Sequence, residues 1–289
     1  MRSVVGMGGI VTDVGGHVNV QGGVTVSGYD RRAPCGTGKL ELGYCVRTAG
    51  SFLSSPAMKP PDILLQASGV VAVCKPAGIA TQAPPGIESL ERWLRGRLEI
   101  GADGYVGVPH RLDRSVSGVV LLAATPRAAR KLSRQFERRE IEKTYLAVVD
   151  HQGGESSTAA HGVCDWHDVL RKVPEEARSE IVAATEPGGR EAVTRMRVVG
   201  GDAEGRRFLV QLEPLTGRMH QLRLQAASRG LPIVGDDLYG GTPLGDAESR
   251  ERPILLHAWR IAYDDPDSGE RIVVEAPLPD HWPAWAQPR

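Results

Sequence analysis

Residues His110–Ala124 read HRLDRSVSGVVLLAA and combine a dense cluster of charges with a long apolar run. The first part places one aspartate, Asp113, between Arg111 and Arg114. The second part, Gly118–Ala124, is apolar throughout and has the length of a strand, which predicts a strand buried on both faces. The charged cluster is therefore expected to lie at the edge of the protein core.

The carboxylate of Asp113 has two interpretations. An aspartate beside a buried strand is desolvated unless it is paired, and a nearby guanidinium would keep it ionised as a nucleophile or a base. Successive side chains of an extended stretch point to opposite faces, so Arg111 and Arg114 cannot easily both reach it. At least one arginine is then available for a phosphate or a base. Taken alone, this stretch favours a structural salt bridge over a catalytic role.

Strands and helices alternate irregularly around this stretch. Further strands are predicted at Val70–Cys74, Lys143–Val149, 192–200 and 208–215, with a hairpin at 254–263 and 271–278. Helices are predicted at 87–98, at 127–139 and in a segment that Gly230 ends. Residues 150–190 look irregular. This order predicts an α+β fold, with a largely antiparallel mixed sheet and flanking helices.

The first 57 residues differ in composition from the rest of the 289-residue chain. They are rich in glycine and valine, and alternating valines around Gly22–Gly23 predict a weak hairpin. We interpret residues 1–57 as a flexible extension or an over-long start, and residues 58–289 as one ordered domain. No signal peptide and no apolar run of membrane-spanning length is recognisable, which favours a soluble cytoplasmic protein.

Net charge gives no evidence for a nucleic-acid partner, because Lys plus Arg and Asp plus Glu number 35 each. One predicted helix is locally basic: Arg127–Arg139 holds six basic residues and a single acid, Glu137. Its apolar face consists of Ala128, Leu132 and Phe136. The basic face fits a solvated helix surface and a contact for RNA phosphates about equally well, and only a contact would make RNA affinity fall steeply with salt.

Metal and disulfide chemistry have little support in the sequence. The four cysteines are irregularly spaced and form no Cys-x-x-Cys pair, which argues against a zinc ribbon or a disulfide scaffold and suits a reducing compartment. His161, Cys164 and His167 stand close together, but in a stretch expected to be an irregular loop. Surface polar residues with a buried cysteine are therefore favoured there over a metal site.

Three longer motifs, in a fixed order, resemble a known family. PHRLDRSVSGVVLLA (109–123), KTYLAVV (143–149) and LTGRMHQLRLQAASRGLPIVGDDLYG (215–240) are similar to the RluA-type family of RNA pseudouridine synthases. Order and spacing match from about Ile63 to Pro279, which is most of the chain. The resemblance implies a pseudouridine synthase fold with a central active-site cleft. It also implies isomerisation of uridine to pseudouridine in ribosomal or transfer RNA, without a metal or organic cofactor.

The resemblance implies roles for individual residues. Asp113 matches the catalytic aspartate, Tyr145 the tyrosine that packs against the target uracil, and Arg218 the arginine that pairs with the carboxylate. Arg111 matches an arginine that helps to turn the nucleotide out of its stack. The pocket wall is expected at Leu255 or Leu256. The residues expected to contact RNA are Arg111, Arg114, Arg127, Arg130, Lys131, Arg134 and His220.

The expected protein is a monomer whose partner is RNA, with no membrane and no metal. Val116, Met219 and Gln225 depart from the family pattern, each by the loss of a hydroxyl or a ring. These departures keep open a catalytically inactive RNA-binding protein on the same fold. A third alternative is an acid–base hydrolase that uses Asp113 with His110. It lacks a second carboxylate at an interpretable position.

Overall fold

The computed structural model describes residues 60–99, 104–152, 163–244 and 253–288, together with the backbone of three short strands nearer the N-terminus. These are β1 (Ile10–Thr12), β2 (Val18–Val20) and β3 (Val24–Val26). They form an antiparallel sheet within a unit of their own, Met1–Arg47. The pairing of β2 with β3 confirms the predicted hairpin. A second unit, Thr48–Arg289, contains the other elements.

A mixed sheet forms the centre of the second unit, with ten strands among the described residues. In chain order they are β4 (Asp62–Ala67), β5 (Val70–Lys75), β6 (Ser117–Ala123), β7 (Glu142–Asp150), β8 (Val163–Lys172), β9 (Ser179–Ile181), β10 (Arg190–Gly201), β11 (Arg207–Pro214), β12 (Leu256–Asp264) and β13 (Arg271–Glu275). They lie side by side in the order β4-β5-β6-β12-β7-β11-β10-β8-β9, and β13 pairs with β12. Of these described pairs, β12 with β6 is parallel and the rest are antiparallel. The predicted α+β fold is confirmed.

Three α-helices accompany the sheet in the described ranges: α1 (Leu90–Arg97), α2 (Pro126–Glu137) and α3 (Gln221–Ala227). Helix α2 begins as its sequence predicts, because the Thr125 hydroxyl accepts the amide N–H of Ala128 and Pro126 occupies the first turn. None of these helices is long and apolar enough to cross a membrane.

Strand β6 is buried along its whole length, as its apolar sequence predicts. Gly118 marks a close approach between β6 and its parallel neighbour β12. Its φ of 120° lies in the region that favours glycine, and a Cβ at this position would lie 2.3 Å from the carbonyl oxygen of Ala258. This close approach brings the charged loop before β6 next to β12.

The prediction that residues 150–190 are irregular is wrong, because they include β8 and β9. Strand β8 pairs with β10 and buries Trp166 and Leu170. Asp168 lies between these two residues and breaks the apolar alternation that signals a strand. The Asp168 carboxylate is satisfied by the side-chain amide of Gln225 in α3, 2.7 Å away. A partner so distant in sequence leaves no local signal.

The buried His257 of β12 is linked to Ser117 of the neighbouring strand β6. The hydroxyl oxygen of Ser117 lies 2.8 Å from Nδ1 of His257. Nε2 of the same ring lies 3.3 Å from the carbonyl oxygen of Ala276, which can only accept a hydrogen bond. The ring proton is therefore on Nε2, and Nδ1 accepts from the Ser117 hydroxyl. Burial lowers the pKa of His257 to about 4, so the ring is neutral at pH 7.

This histidine makes stability depend on pH. Its pKa is about 4 in the folded protein and 6.5 ordinarily, so the unfolded chain binds more protons between these values and stability falls as the pH decreases through them. The loss from this group between pH 7 and pH 5 is about 2 kcal/mol. Urea unfolding of the wild type and of His257→Gln measures it, and the variant should lose that much less. The same pH dependence in both proteins would contradict the assignment.

Candidate active site

A cleft of about 1270 Å³ opens beside the start of β6. It is lined by the loop before β6, by β7, by the end of β11 and by the turn before α3. It brings together seven of the sequence-predicted residues, namely Arg111, Asp113, Arg114, Tyr145, Arg218, His220 and Leu256. The four basic residues predicted on α2, Arg127, Arg130, Lys131 and Arg134, are not part of its lining.

The turn after β5 holds the loop that carries Asp113. The Thr81 hydroxyl donates to the carbonyl oxygen of Leu112 at 3.0 Å and accepts the Leu112 amide N–H at 3.1 Å. Gly78 and Arg114 are also joined twice, because the Gly78 N–H donates to the Arg114 carbonyl and Nε of Arg114 donates to the Gly78 carbonyl, each at 2.7 Å. The residues on both sides of Asp113 are therefore fixed.

Lys75, the last residue of β5, is fully buried and adds to this attachment. Its ammonium group donates to the carbonyl oxygens of Pro76 and Ile79, each at 2.9 Å, and of Arg114 at 3.3 Å. Burial lowers the pKa of Lys75 to about 7, although the negative charge of Asp113 acts in the opposite direction. The lysine thus ties two loops together through backbone carbonyls.

The carboxylate of Asp113 is bound by Arg223, an arginine that the sequence analysis did not select. Nη1 of Arg223 donates to Oδ2 of Asp113 at 3.3 Å. Asp236 takes the other edge of the guanidinium, accepting from Nε and from Nη2 at 2.7 Å each. The Asp113 side chain keeps 32% of its surface exposed, whereas that of Asp236 is fully enclosed. Burial acts to lower the pKa of Arg223, but the two carboxylates outweigh it and raise this pKa above its ordinary value.

The predicted pairing of Arg218 with Asp113 is wrong. Arg218 lies in the turn before α3, and its Nε donates to the carbonyl oxygen of Glu191 at 2.9 Å. Arg223 lies within α3, where a side chain leans toward the helix N-terminus and so toward Asp113. Both arginines belong to the motif TGRMHQLR, and the motif alone does not tell them apart. A catalytic role for Arg218 at the cleft wall stays a prediction.

His220 also faces Asp113, from the residue that precedes α3. Its Nε2 lies 3.6 Å from Oδ2 of Asp113, and its Nδ1 lies 3.0 Å from the hydroxyl oxygen of Tyr239. Burial lowers the pKa of His220, against the opposing charge of Asp113 and with the help of Arg223. The neutral imidazole is therefore favoured at pH 7. The predicted RNA contact of His220 stays a prediction.

Tyr145 and Leu256 line the cleft from neighbouring strands. Burial and the charge of Asp113 raise the pKa of Tyr145, so its hydroxyl keeps its proton. Leu255 packs instead in a separate apolar cluster with Trp282. Of the two leucines expected at the pocket wall, the structure therefore places Leu256 in the cleft.

His110, the first residue of the HRLD motif, is engaged by the core. Its Nε2 accepts the amide N–H of Leu121 at 2.9 Å, and its ring stacks on Phe136 with centroids 4.5 Å apart. Burial, with a smaller contribution from nearby Lys143, lowers the pKa of His110 to about 3. A ring that stays neutral and is committed to β6 gives no support to a hydrolase that uses it as an acid or base.

The mouth of the cleft carries more basic side chains than the sequence analysis predicted. We call the following residues the cationic rim: Arg111, Arg139, Lys143, Arg195 and Arg260. Arg195 pairs with Asp165, and Arg260 pairs with Glu275. The other three make no ion pair with an acidic side chain in the described ranges. Burial lowers the pKa of Lys143 to about 8. Lys143 could have been predicted as a cleft residue from the sequence, since residues two apart on a strand share a face and Tyr145 was predicted there.

The basic side chains of α2 have other surroundings. Arg127 pairs with Asp267 at 3.1 Å, and Lys131 donates to the carbonyl oxygen of Pro266 at 2.6 Å. Both partners belong to the loop between β12 and β13. Helix α2 buries its apolar face, and only its C-terminal end, at Phe136, reaches the cleft. RNA contacts along this helix therefore stay a prediction and would lie outside the cleft.

The three departures from the family pattern have clear surroundings. Gln225 is fully buried, accepts the Thr194 hydroxyl at 2.7 Å and donates to Asp168 at 2.7 Å, which ties α3 to β8 and β10. Val116 is buried in the core. Met219 is exposed and lines the cleft. None of the three disturbs the carboxylate and guanidinium at the cleft floor.

No group of three or more histidine, cysteine, aspartate or glutamate side chains in the described ranges is placed to hold a metal ion. Of the three residues considered for such a site, His161 lies outside those ranges. Cys164 and His167 are exposed on β8, so the expectation of a buried cysteine in this stretch is wrong. Residues three apart on a strand point to opposite faces, so these two do not converge.

The chain is similar in sequence to known pseudouridine synthases. The sequence profile of the RNA pseudouridylate synthases matches residues 69–228. The tRNA pseudouridine synthase C of Salmonella typhimurium is 32% identical over 227 residues, which cover 76% of this chain and 86% of the relative. The ribosomal large subunit pseudouridine synthase C of Rickettsia bellii is 32% identical over 223 residues, covering 76% and 69%.

A solved structure agrees with this match. Human RNA Pseudouridylate Synthase Domain Containing 1 superimposes with a TM-score of 0.57 and 27% identity, covering 76% of this chain and 84% of that one. The chain belongs to the RluA-type family of RNA pseudouridine synthases, which are isomerases of RNA.

Proposed function

We propose that this protein converts specific uridines of ribosomal or transfer RNA to pseudouridine, with Asp113 as the catalytic residue. One observation carries the proposal: the half-exposed carboxylate of Asp113 lies in the cleft and is held by a single N–H of Arg223. The two substrate classes come from the names of relatives, one a tRNA synthase and one a synthase of the large ribosomal subunit.

The chemistry suits this carboxylate. The glycosidic bond moves from N1 to C5 of uracil, C5 loses a proton and N1 gains one, so the substrate is neither oxidised nor reduced. The carboxylate can attack the ribose anomeric carbon, attack the uracil ring or abstract a ribose proton. Each route needs an ionised Asp113 beside a fixed cation. Arg223 supplies that cation and donates to Oδ2 of Asp113. The other carboxylate oxygen, Oδ1, makes no hydrogen bond to any described residue.

The target base must leave its stack to reach Asp113, at a cost of a few kcal/mol. We propose that the uracil stacks on the Tyr145 ring in the cleft, which returns about 1–3 kcal/mol. Arg111 is exposed at the mouth of the cleft and has no acidic partner in the described ranges. It is therefore positioned to occupy the place that the base leaves.

Asp113→Asn is expected to abolish the reaction. Whichever route the carboxylate takes, the rate should fall at least about 100-fold, because the amide can neither attack nor accept a proton. RNA affinity should remain, since the shape of the cleft floor is kept. The matched control is Asp237→Asn, which makes the same change at an exposed aspartate outside the cleft lining.

Pseudouridine maps of total RNA from cells with and without the gene, and with each variant, provide the measurement. The modified position that disappears identifies the RNA and the uridine. Full modification by Asp113→Asn would refute the assignment of the catalytic residue. A wild-type protein that binds RNA and modifies no position would support the inactive RNA-binding alternative.

We also propose that the cationic rim holds RNA phosphates on either side of the flipped nucleotide. Lys143 supports this most strongly, because it is a half-buried residue of the cleft lining that has no acidic partner in the described ranges. An anion at the mouth would satisfy this charge. Because the rim concentrates cations in one place, a chain of zero net charge can still attract RNA there.

Lys143→Gln is expected to weaken RNA binding and to lower the slope of log affinity against log salt by about 0.7 to 0.9. Arg130→Gln tests the α2 surface in the same way, and exposed Lys172→Gln is the matched control outside the cleft. Filter binding over a range of salt concentrations gives all three slopes. If the slope changes only in Arg130→Gln, the RNA phosphates bind along α2 and not at the cationic rim.

We propose that residues 58–289 form the catalytic domain and that residues 1–57 are dispensable for it. The family match and the ten-stranded sheet both lie C-terminal to Met58. A chain that starts at Met58 should fold with an unchanged unfolding temperature and keep full activity on RNA. Misfolding of the shortened chain would show that the N-terminal segment belongs to the domain.

The same unit is proposed to act as a monomer in the cytoplasm. The described cysteines, Cys74 and Cys164, form no disulfide, which suits a reducing compartment.

A further inference from the structure

The turn Gly235–Gly240, with sequence GDDLYG, contacts both partners of Asp113. Asp236, in this turn, is fully buried and binds the guanidinium of Arg223 with both carboxylate oxygens at 2.7 Å. The planar fork formed by Nε and Nη2 is thereby occupied. Only Nη1 remains for Asp113, and it makes a longer bond of 3.3 Å.

Tyr239 holds the second partner, His220. The Tyr239 hydroxyl accepts the amide N–H of Ser179 at 2.9 Å and lies 3.0 Å from Nδ1 of His220. The Tyr239 proton has two acceptors within reach, Nδ1 of His220 at 3.0 Å and the carbonyl oxygen of Ser179 at 3.4 Å. The shorter distance favours Nδ1, which leaves the imidazole proton on Nε2, the atom that faces Asp113. The Tyr239 ring also lies under the guanidinium of Arg223, with the central carbon 5.3 Å from the ring centroid.

We propose that Asp236 and Tyr239 are positioning residues that keep Asp113 reactive, a proposal that rests on the proposed function. Asp236 prevents Arg223 from turning its fork to Asp113 and locking both oxygens in a bidentate pair. Two carboxylates then share one guanidinium, so the cluster of Asp113, Arg223 and Asp236 keeps one net negative charge. Tyr239 fixes the tautomer of His220. Asp236 itself is enclosed and cannot touch RNA.

The first test is Asp236→Asn. Its kcat for pseudouridine formation is expected to fall about 10- to 100-fold, because a misplaced guanidinium misaligns Asp113. Its KM and its dissociation constant for RNA should not change, since the residue lies outside the binding surface. Asp237→Asn is the matched control, with the same charge change one residue along the chain at an exposed position. It should keep the wild-type kcat.

A milder variant, Tyr239→Phe, keeps the ring and removes only the hydroxyl. A kcat loss of about fivefold is expected, equivalent to one hydrogen bond. If Asp236→Asn fails to fold, the kcat of Tyr239→Phe tests the proposal by itself.

A double-mutant cycle with Arg223→Lys distinguishes an effect through Arg223 from an effect on general stability. A lysine has no guanidinium fork for Asp236 to bind. In the Arg223→Lys protein, Asp236→Asn should therefore lower kcat little further. If the two substitutions acted independently, their losses of kcat would multiply. The proposal is overturned if folded Asp236→Asn and Tyr239→Phe keep the wild-type kcat, or if only KM changes. A wild type that forms no pseudouridine would instead remove the proposed function itself.

Discussion

The carboxylates of Asp113 and Asp236 both bind the guanidinium of Arg223 at the floor of the cleft. The geometry of the site follows from which N–H groups each carboxylate receives. The buried Asp236 takes the fork of Arg223, and the half-exposed Asp113 receives the remaining N–H. A buried ion pair is costly unless its hydrogen bonds are complete. Asp236 completes them, so Arg223 can stay charged in the core while Asp113 stays open to the cleft.

This arrangement needs several chain segments to meet within a few ångströms. The turn after β5 clamps the loop of Asp113, α3 supplies Arg223, and the Gly235–Gly240 turn supplies the buried carboxylate. Backbone groups make many of these attachments, which limits the movement of the loop even though it lies outside the strands. The close approach of β6 to β12 at Gly118 then sets the distance between that loop and β12, the strand that carries Leu256.

Charge in this protein is organised locally rather than globally. Equal numbers of acidic and basic residues leave the chain neutral overall, yet several cations of the rim, Lys143 among them, have no acidic partner in the described ranges. Many basic side chains elsewhere are committed to partners, as Arg127 is to Asp267. A count of basic residues along a helix therefore does not identify a binding surface, because pairing with distant acids decides which charges remain available.

Sequence patterns determined the elements whose cause is local. The apolar run of β6 and the cap and proline of α2 appear where the sequence predicts them, and Asp113 of the HRLD motif lines the cleft. Strand β8 was missed because Asp168 faces inward and is satisfied by Gln225 on a distant helix. The choice between Arg218 and Arg223, the enclosure of Asp236 and the grouping of the rim belong to the tertiary structure alone. Each depends on contacts between segments far apart in sequence, which local spacing does not encode.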